Sequence, residues 1–393
     1  SLSFMVLGFC MGICNGFAIP VAQKFGAGDQ VELRKFVANS LWLVAIIALV
    51  LTVPVCVYCR PILRVMNTPE DVFEYAYQYI FIIFLGIPAA LLYNILAAIL
   101  RSLGDSKTPV LFLALSSVLN IGLDIISIKL WGMGVNGTAL ATVISQGVSG
   151  VICFFYMKKR FTVLQMSREE RRPDGAKMKR LCYMGIPMGL QYSITAIGSL
   201  VIQATMNGFG SVAVAGATAA NRINGFLTCP IEALGASMAP YVGQNLGAGK
   251  LDRVSRGVID ASLCGFVSSG VLYVIIWLYG AQLTGIFLDA PDPAVTAYAV
   301  EFLRIVGAGY CLLTLVNVVR FSIQGLGFSV LAILSGVMEM IARCFAGLVI
   351  APHMGFAAVA MGHPLAWLFA DIFLIPAFLL CRKKVASALH GEY

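Results

Sequence analysis

The chain has 393 residues, of which 59% are hydrophobic and 12% charged, against roughly 45–50% and about 25% in a soluble domain. With a mean hydropathy of +0.88 it has too little polar surface to coat a water-soluble globule. A secreted disulfide scaffold, a disordered chain and a nucleic-acid-binding domain are excluded, and the formal net charge of +8 needs another explanation than nucleic acid.

A helix that crosses the hydrocarbon core needs about 20 mostly apolar residues. In chain order such runs cover 1–23, 37–59, 73–100, 109–131, 136–157, 181–207, 212–245, 257–288, 294–320, 328–350 and 355–381. They are continuous rather than alternating, so they predict eleven transmembrane helices and no β-barrel. The first run opens at Ser1 with no polar flank, basic start or cleavage motif. The expectation is an N-terminal portion that precedes it.

Lys and Arg gather in alternate connections. The stretches 24–36, 101–108, 158–180 and 250–256, the turn at Arg320 and the tail around Arg382 hold most of the 27 basic residues, and the opposite connections hold only Arg60, Arg64 and Lys129. The positive-inside rule places the basic set and the C-terminus in the cytoplasm of a multi-pass protein of the inner (plasma) membrane. The net positive charge is then a signature of topology.

An internal repeat is visible. Gln23, Gly26, Ala27 and Gly28 recur as Gln244, Gly247, Ala248 and Gly249, 221 positions further on. Likewise "RSLG" (101–104) parallels "QGLG" (324–327), and "WGMGVNGTALA" (131–141) parallels "PHMGFAAVAMG" (352–362). The chain is expected to be two copies of one six-helix unit, related by an axis along the membrane normal. The expected boundaries are an N-terminal lobe over 1–158, a basic cytoplasmic linker over 159–180, a C-terminal lobe over 181–382 and a tail over 383–393. The second copy has a helix and part of another ahead of the point that matches Ser1, so the first copy is expected to lack its first helix and part of the second.

The eleven Cys lie almost all in apolar runs. Cys56 and Cys59 form a C-x-x-C with no second pair and no nearby His, which reads as two small residues on a helix rather than a metal or redox site. The three His, at 353, 363 and 390, lack ligand spacing, and no Walker-type loop occurs. The reading is no cofactor and no ATP drive in this chain.

Charge inside a membrane costs about 2.5–3.5 kcal/mol on insertion scales, so a retained ionisable residue points to function. Asp124 lies mid-run with Asn120 four residues earlier on the same helical face, and Thr138 and Thr142 follow on the next run. A carboxylate, an amide and hydroxyls make a hard-oxygen cluster suited to Na⁺. The same carboxyl, desolvated, could instead carry a proton, or simply bond two helices together. Glu339 and Arg343 occupy the equivalent places in the second copy, as an ion pair or as a substrate or gating site. Glu232, beside Pro230, has no basic residue within four positions and is a candidate for a cation-attracting cavity. Asn221, Arg222 and Asn224 precede it as interfacial or inter-helix groups. Arg304 and Asp371 are interfacial or paired with each other.

Two six-helix units with QxxGAG at a helix end, "ILRSLGDSKTP" (99–109), "NIGLD" (120–124) and "GMGVNGTALATVISQ" (132–146) together resemble the multidrug and toxic compound extrusion (MATE) family, its bacterial branch most of all. The resemblance implies a secondary active antiporter, no enzyme, that acts as a single bundle of two six-helix lobes. It would export small-molecule organic cations and drugs from the cell in exchange for Na⁺ or H⁺. It implies an ion-coupling site at Asn120, Asp124 and Thr142, completed in the family by an Asp on the first helix, which this sequence does not include. Glu232, Glu339 and Arg343 are the substrate-cavity candidates. A lipid-linked oligosaccharide flippase of the same superfamily is the alternative, and it would need a cavity rich in Arg and Lys. A membrane enzyme or a channel fits the sparse acids and the long repeat less well.

Overall fold

The computed structural model describes residues 2–65, 70–286 and 292–390; the end of the run 257–288 and the last residues of the tail fall outside them. The chain is 91% helix, with no strand among the described residues. It divides into two compact units, Ser1–Gly189 and Leu190–Tyr393.

The first unit contains α1 (Leu2–Gly26), α2 (Gln30–Val57), the short α3 (Cys59–Val65), α4 (Glu70–Leu85), α5 (Ile87–Ser102), α6 (Lys107–Ile125), α7 (Gly134–Arg160) and the start of α8 (Gly175–Asn207). The second contains the rest of α8, α9 (Ser211–Gly247), α10 (Leu251–Ile286), α11 (Pro293–Ala308), α12 (Tyr310–Gly325), α13 (Ser329–Phe345), the one-turn α14 (Ala351–Met354) and α15 (Phe356–His390).

Eight of these helices are long and apolar enough to cross a membrane, and two bent pairs, α4 with α5 and α11 with α12, bring the number to ten. The expected eleventh span, 212–245, is one continuous helix, α9, but it is not among them. Asn221, Arg222, Asn224, Glu232 and a high share of Gly, Ala, Ser and Thr dilute its apolar content below that of its neighbours.

QxxGAG turns out to be a helix stop. In the first copy the amide of Ala27 donates to the carbonyl of Gln23 (3.0 Å) and that of Asp29 to Lys24 (3.1 Å). In the second, Ala248 donates to Gln244 (3.0 Å) and Lys250 to Asn245 (2.8 Å). Gly28 and Gly249 sit at φ 72° and 71°, the left-handed geometry that closes a helix C-terminus and that L side chains resist. The other two repeat motifs carry the same mark, with Gly104 and Gly327 at φ 85° and 100°, and Gly134 and Gly355 at 56° and 70°.

The breaks also recur. α4 and α5 meet at 45° around Gly86, and α11 and α12 at 49° around Gly309. Pro88 lacks the N–H that would bond back to Phe84 and keep the first pair straight. A side chain at Gly86 would lie 2.3 Å from Val143 Cγ2, and one at Gly309 would lie 2.9 Å from Pro364 Cβ. Finally, α6 and α13 each end in a π turn, Ile126–Leu130 and Ala346–Ile350.

In lipid, helices associate by close packing more than by exclusion of water. In the first unit, α1 meets the start of α8 through glycines: a Cβ on Gly16 would lie 2.4 Å from Gly185 Cα. Ile13, Phe17, Leu91 and Ile95 pack in one buried cluster with Cys59.

The basic stretch after α7 is folded onto α2. Arg34 Nε donates to Glu170 Oε1 at 2.9 Å, the Asp174 amide donates to Asn39 Oδ1 at 2.8 Å, and Trp42 Nε1 donates to the Arg171 carbonyl at 3.0 Å. The amide of Ser167 and the Arg34 guanidinium hold the Glu170 carboxyl below its ordinary 4.5.

Candidate functional site

In the first unit α6 starts where Asp105 accepts from the amides of Lys107 and Thr108, both at 3.0 Å. Backbone amides and the Thr108 hydroxyl offset the burial of this carboxylate and keep its pKa low. The helix then runs to its π turn, with Asn120 and Asp124 on one face in the last turns before it. α7 packs alongside α6. Asn120 Nδ2 donates to Thr142 Oγ1 at 3.3 Å, and Thr142 Oγ1 donates to the Thr138 carbonyl at 2.9 Å. Asp124 lies one turn further along. Its carbonyl accepts from Ser127 Oγ at 3.1 Å, but its Oδ1 is buried with no hydrogen-bond partner.

A buried carboxylate oxygen left unbonded is costly. Beside it stand an amide and a hydroxyl on adjacent helices, and the π turn begins two residues on. Such wide turns are rare and occur frequently at functional sites. The arrangement offers hard oxygen donors to a small cation and a carboxyl to a proton. Thr138, whose hydroxyl donates to the Val135 carbonyl at 2.8 Å, has no hydrogen bond to Asp124.

In the second unit the equivalent end of α13 holds a larger ionic cluster. Glu339 and Arg343 are both buried, with Arg343 Nη2 at 3.2 Å from Glu339 Oε2. Arg343 Nη1 also donates to the Thr195 carbonyl at 3.2 Å. The other carboxylate oxygen of Glu339 accepts from Arg320 Nη2. Arg320 Nε donates to Ser335 Oγ at 3.0 Å, and the Gln191 amide oxygen, oriented by its donors, accepts from Arg320 Nη1 at 3.0 Å. The expectation of a cytoplasmic turn at Arg320 is therefore corrected: α12 continues to Gly325 and Arg320 is 7% exposed, inside the unit. The repeat carries a signal for this, because Arg320 corresponds to Ala97, a buried residue of α5.

Asp371 is 3% exposed and neither carboxyl oxygen has a partner. It feels the charges of Arg320 and Glu339. Arg304 stacks on Trp277, with its guanidinium carbon 4.0 Å from the ring centroid, so it is not paired with Asp371. Glu232 is apart from this cluster: it is exposed on α9 and accepts from Thr228 Oγ1 at 3.2 Å. Asn224 accepts from Tyr310 Oη at 2.8 Å, an inter-helix bond. Among the described residues no group of His, Cys, Asp and Glu could hold a metal ion as a closed cluster. Cys59 is packed in the apolar core and Cys56 is half-buried.

Continuous apolar helices with sparse ionic groups near two π turns define a multi-pass membrane protein. The chain belongs to the MatE family, whose family model matches residues 1–126 and 187–349. Members of this family are transporters, not enzymes. The chain is 28% identical over 304 residues to the probable multidrug resistance protein YoeA of Bacillus subtilis, an alignment that covers 76% of this chain and 66% of that protein. It is 25% identical over 349 residues to the multidrug export protein MepA of Staphylococcus saprophyticus, with 86% and 76% covered. The chain thus spans just under two thirds of the length of the Bacillus relative. The fold matches a multidrug resistance MATE family transporter of the MOP superfamily in an outward-facing conformation, with a TM-score of 0.91 at 22% identity over 99% of this chain and 86% of the other.

Proposed function

We propose that this protein is a secondary antiporter of the bacterial plasma membrane that exports small organic molecules, cations among them, in exchange for Na⁺ or H⁺. The relatives named for multidrug resistance and export support the direction and the class of cargo. The observation that carries the coupling is the buried, unbonded Oδ1 of Asp124 next to the Asn120–Thr142 pair. The coupling ion enters the first unit and completes the coordination that Asp124 lacks. Bound ion and bound cargo favour different conformations, and that differential preference is the whole of the coupling free energy. The basic linker and the C-terminus lie in the cytoplasm. One chain is the working unit.

The test is efflux of a fluorescent organic cation from proteoliposomes under a Na⁺ gradient and, separately, a pH gradient. Efflux driven by one gradient is expected, and Asp124→Asn should lose it while melting normally. Gradient-driven efflux by that variant at the unmodified rate would sink the coupling role.

One observation favours a second reading. With Arg320 added, the buried cluster of the second unit contains two guanidiniums around a single bonded carboxylate. That polarity suits an anionic headgroup such as a lipid-linked phosphate. Absence of cation efflux under both gradients, with movement of a polyprenyl-linked substrate, would favour the flippase.

A further inference from the structure

We propose that the first unit holds an anionic phospholipid, one acyl chain seated between α2, α5 and α7 and its phosphate held by Lys158 and Arg171. The folded linker and these three helices line a half-open cavity of about 610 Å³, within the roughly 300–1,000 Å³ range of ligand sites. Its walls are apolar, with Leu41 from α2, Leu96 from α5, and Phe154 and Met157 from α7. Lys158 and Arg171 stand among the lining residues, and no acidic residue does.

The position suits a lipid rather than a soluble anion. Trp42 and Phe154, which line the cavity, are 49% and 38% exposed, and the cavity is half open, so an acyl chain can enter from the bilayer. Lys158 belongs to the basic last turn of α7, with Lys159 and Arg160 beside it. Basic pockets between helices at the end where Lys and Arg cluster attract anionic headgroups, and a guanidinium meets phosphate with two parallel hydrogen bonds.

The site is also built before any lipid arrives. The Trp42 indole N–H is fixed on the Arg171 carbonyl at 3.0 Å, and Arg171 Nη2 reaches the Met166 carbonyl at 3.1 Å. The nearby acid, Glu170, is already paired with Arg34 at 2.9 Å and so does not compete with a phosphate. Arg34–Glu170 and Asn39–Asp174 clamp the linker on α2.

The test uses the full chain in nanodiscs of neutral lipid, with increasing dibrominated phosphatidylglycerol or dibrominated phosphatidylcholine. Bromine quenches Trp fluorescence at contact, and subtracting the Trp42→Phe signal isolates Trp42. Phosphatidylglycerol should half-quench Trp42 at a mole fraction lower by roughly five-fold per basic residue, so roughly 25-fold for the pair. The preference should fall about five-fold in Lys158→Gln, vanish in the Lys158→Gln/Arg171→Gln double variant, and shrink sharply at 1 M salt, where the Debye length is about 3 Å. The salt arm needs no variant to fold. Ala45→Phe, which fills the cavity from an exposed position of α2, should lower quenching by both lipids. Equal quenching by both lipids in the unmodified protein, or a preference untouched by charge removal and salt, overturns the proposal. So would Ala45→Phe blocking cation efflux without changing lipid quenching, which would make the cavity a cargo pocket.

Discussion

Arg320 and Glu339, nineteen residues apart and on different helices, meet inside the second unit, where Arg320 takes one oxygen of a carboxylate whose other oxygen is bonded to Arg343. Two buried cations therefore depend on one anion, with Gln191, Ser335 and the Thr195 carbonyl accepting from other donors of the two guanidiniums, while Arg343 Nε is buried without a hydrogen-bond partner. The cluster ties α8, α12 and α13 together by polar bonds in a region where apolar packing alone is weakly directional.

Removing one partner from a buried ion pair leaves an uncompensated charge, at about 3–5 kcal/mol. Glu339→Ala strands two, so it should be the most destabilising single change in the cluster. Replacing all three charged residues by apolar ones of similar size, as Arg320→Met, Glu339→Leu and Arg343→Met, should recover most of that loss. Melting in lipid, read for the single and triple variants together, checks both statements.

In the first unit, Thr142→Val keeps the shape of the side chain and removes the oxygen that accepts from Asn120. The stability cost should be only about 1 kcal/mol. The half-saturating concentration of the coupling ion should nevertheless rise roughly tenfold, the scale expected when a supporting ligand of an ion site is lost. Transport against ion concentration measures the second effect, and melting measures the first. Equal ion dependence of variant and parent would remove Thr142 from the site.

A side chain cannot be accommodated where α1 crosses α8. At Gly16 the added methyl group would be 2.4 Å from a backbone atom, Gly185 Cα, which cannot rotate away. Gly16→Ala should destabilise by about 1–3 kcal/mol through forced separation of the two helices. Gly28→Ala meets no neighbour within 4 Å; its cost is one of backbone conformation at φ 72°, about 1 kcal/mol. A comparison of the two melting temperatures separates crowding from strain.

The linker clamp should respond to acid. Ser167 and Arg34 lower the pKa of Glu170 from its ordinary 4.5, so the folded carboxyl ionises below the unfolded one. Its contribution is full above the unfolded value and is lost as pH falls through the depressed folded value. Hydrogen exchange of residues 161–174, corrected for intrinsic rates, should stay slow above the ordinary carboxyl value of 4.5 and accelerate only as the pH falls below it. Glu170→Gln should exchange fast at every pH.

The helical membrane fold was legible because its signal is local. Continuous apolar runs need no knowledge of partners, and QxxGAG, RSLG and GMG each mark a backbone geometry that a glycine must supply. Asn120 and Asp124 were legible as a pair for the same reason, since a spacing of four places two residues on one face. α9 and Arg320 show where local reading stops. The apolar stretches along 212–245 read as a span, but polar residues between them hold the helix's hydropathy below that of its neighbours. A charge near the end of an apolar run looks like a flank unless its buried counter-charge is known, and Glu339 lies on another helix. For Asp371 and Arg304 the sequence leaves an interface or a mutual pair open, because the partner Arg304 takes is Trp277, which no spacing connects to it.

The two π turns have a consequence for chain register. Each adds about one residue to a helix without lengthening its ladder of bonds, and one residue is worth about 100° of rotation about the axis. Trp131 and Ala351, which follow the two turns, therefore look in directions that a plain α-helix of the same sequence would not give them. Deleting a single residue within 126–130 would not shorten the loop that follows. It would restore an unbroken spiral with everything downstream facing as it does now, whereas straightening the turn with all its residues kept would swing the downstream part through more than a quarter of a circle relative to Asn120 and Asp124.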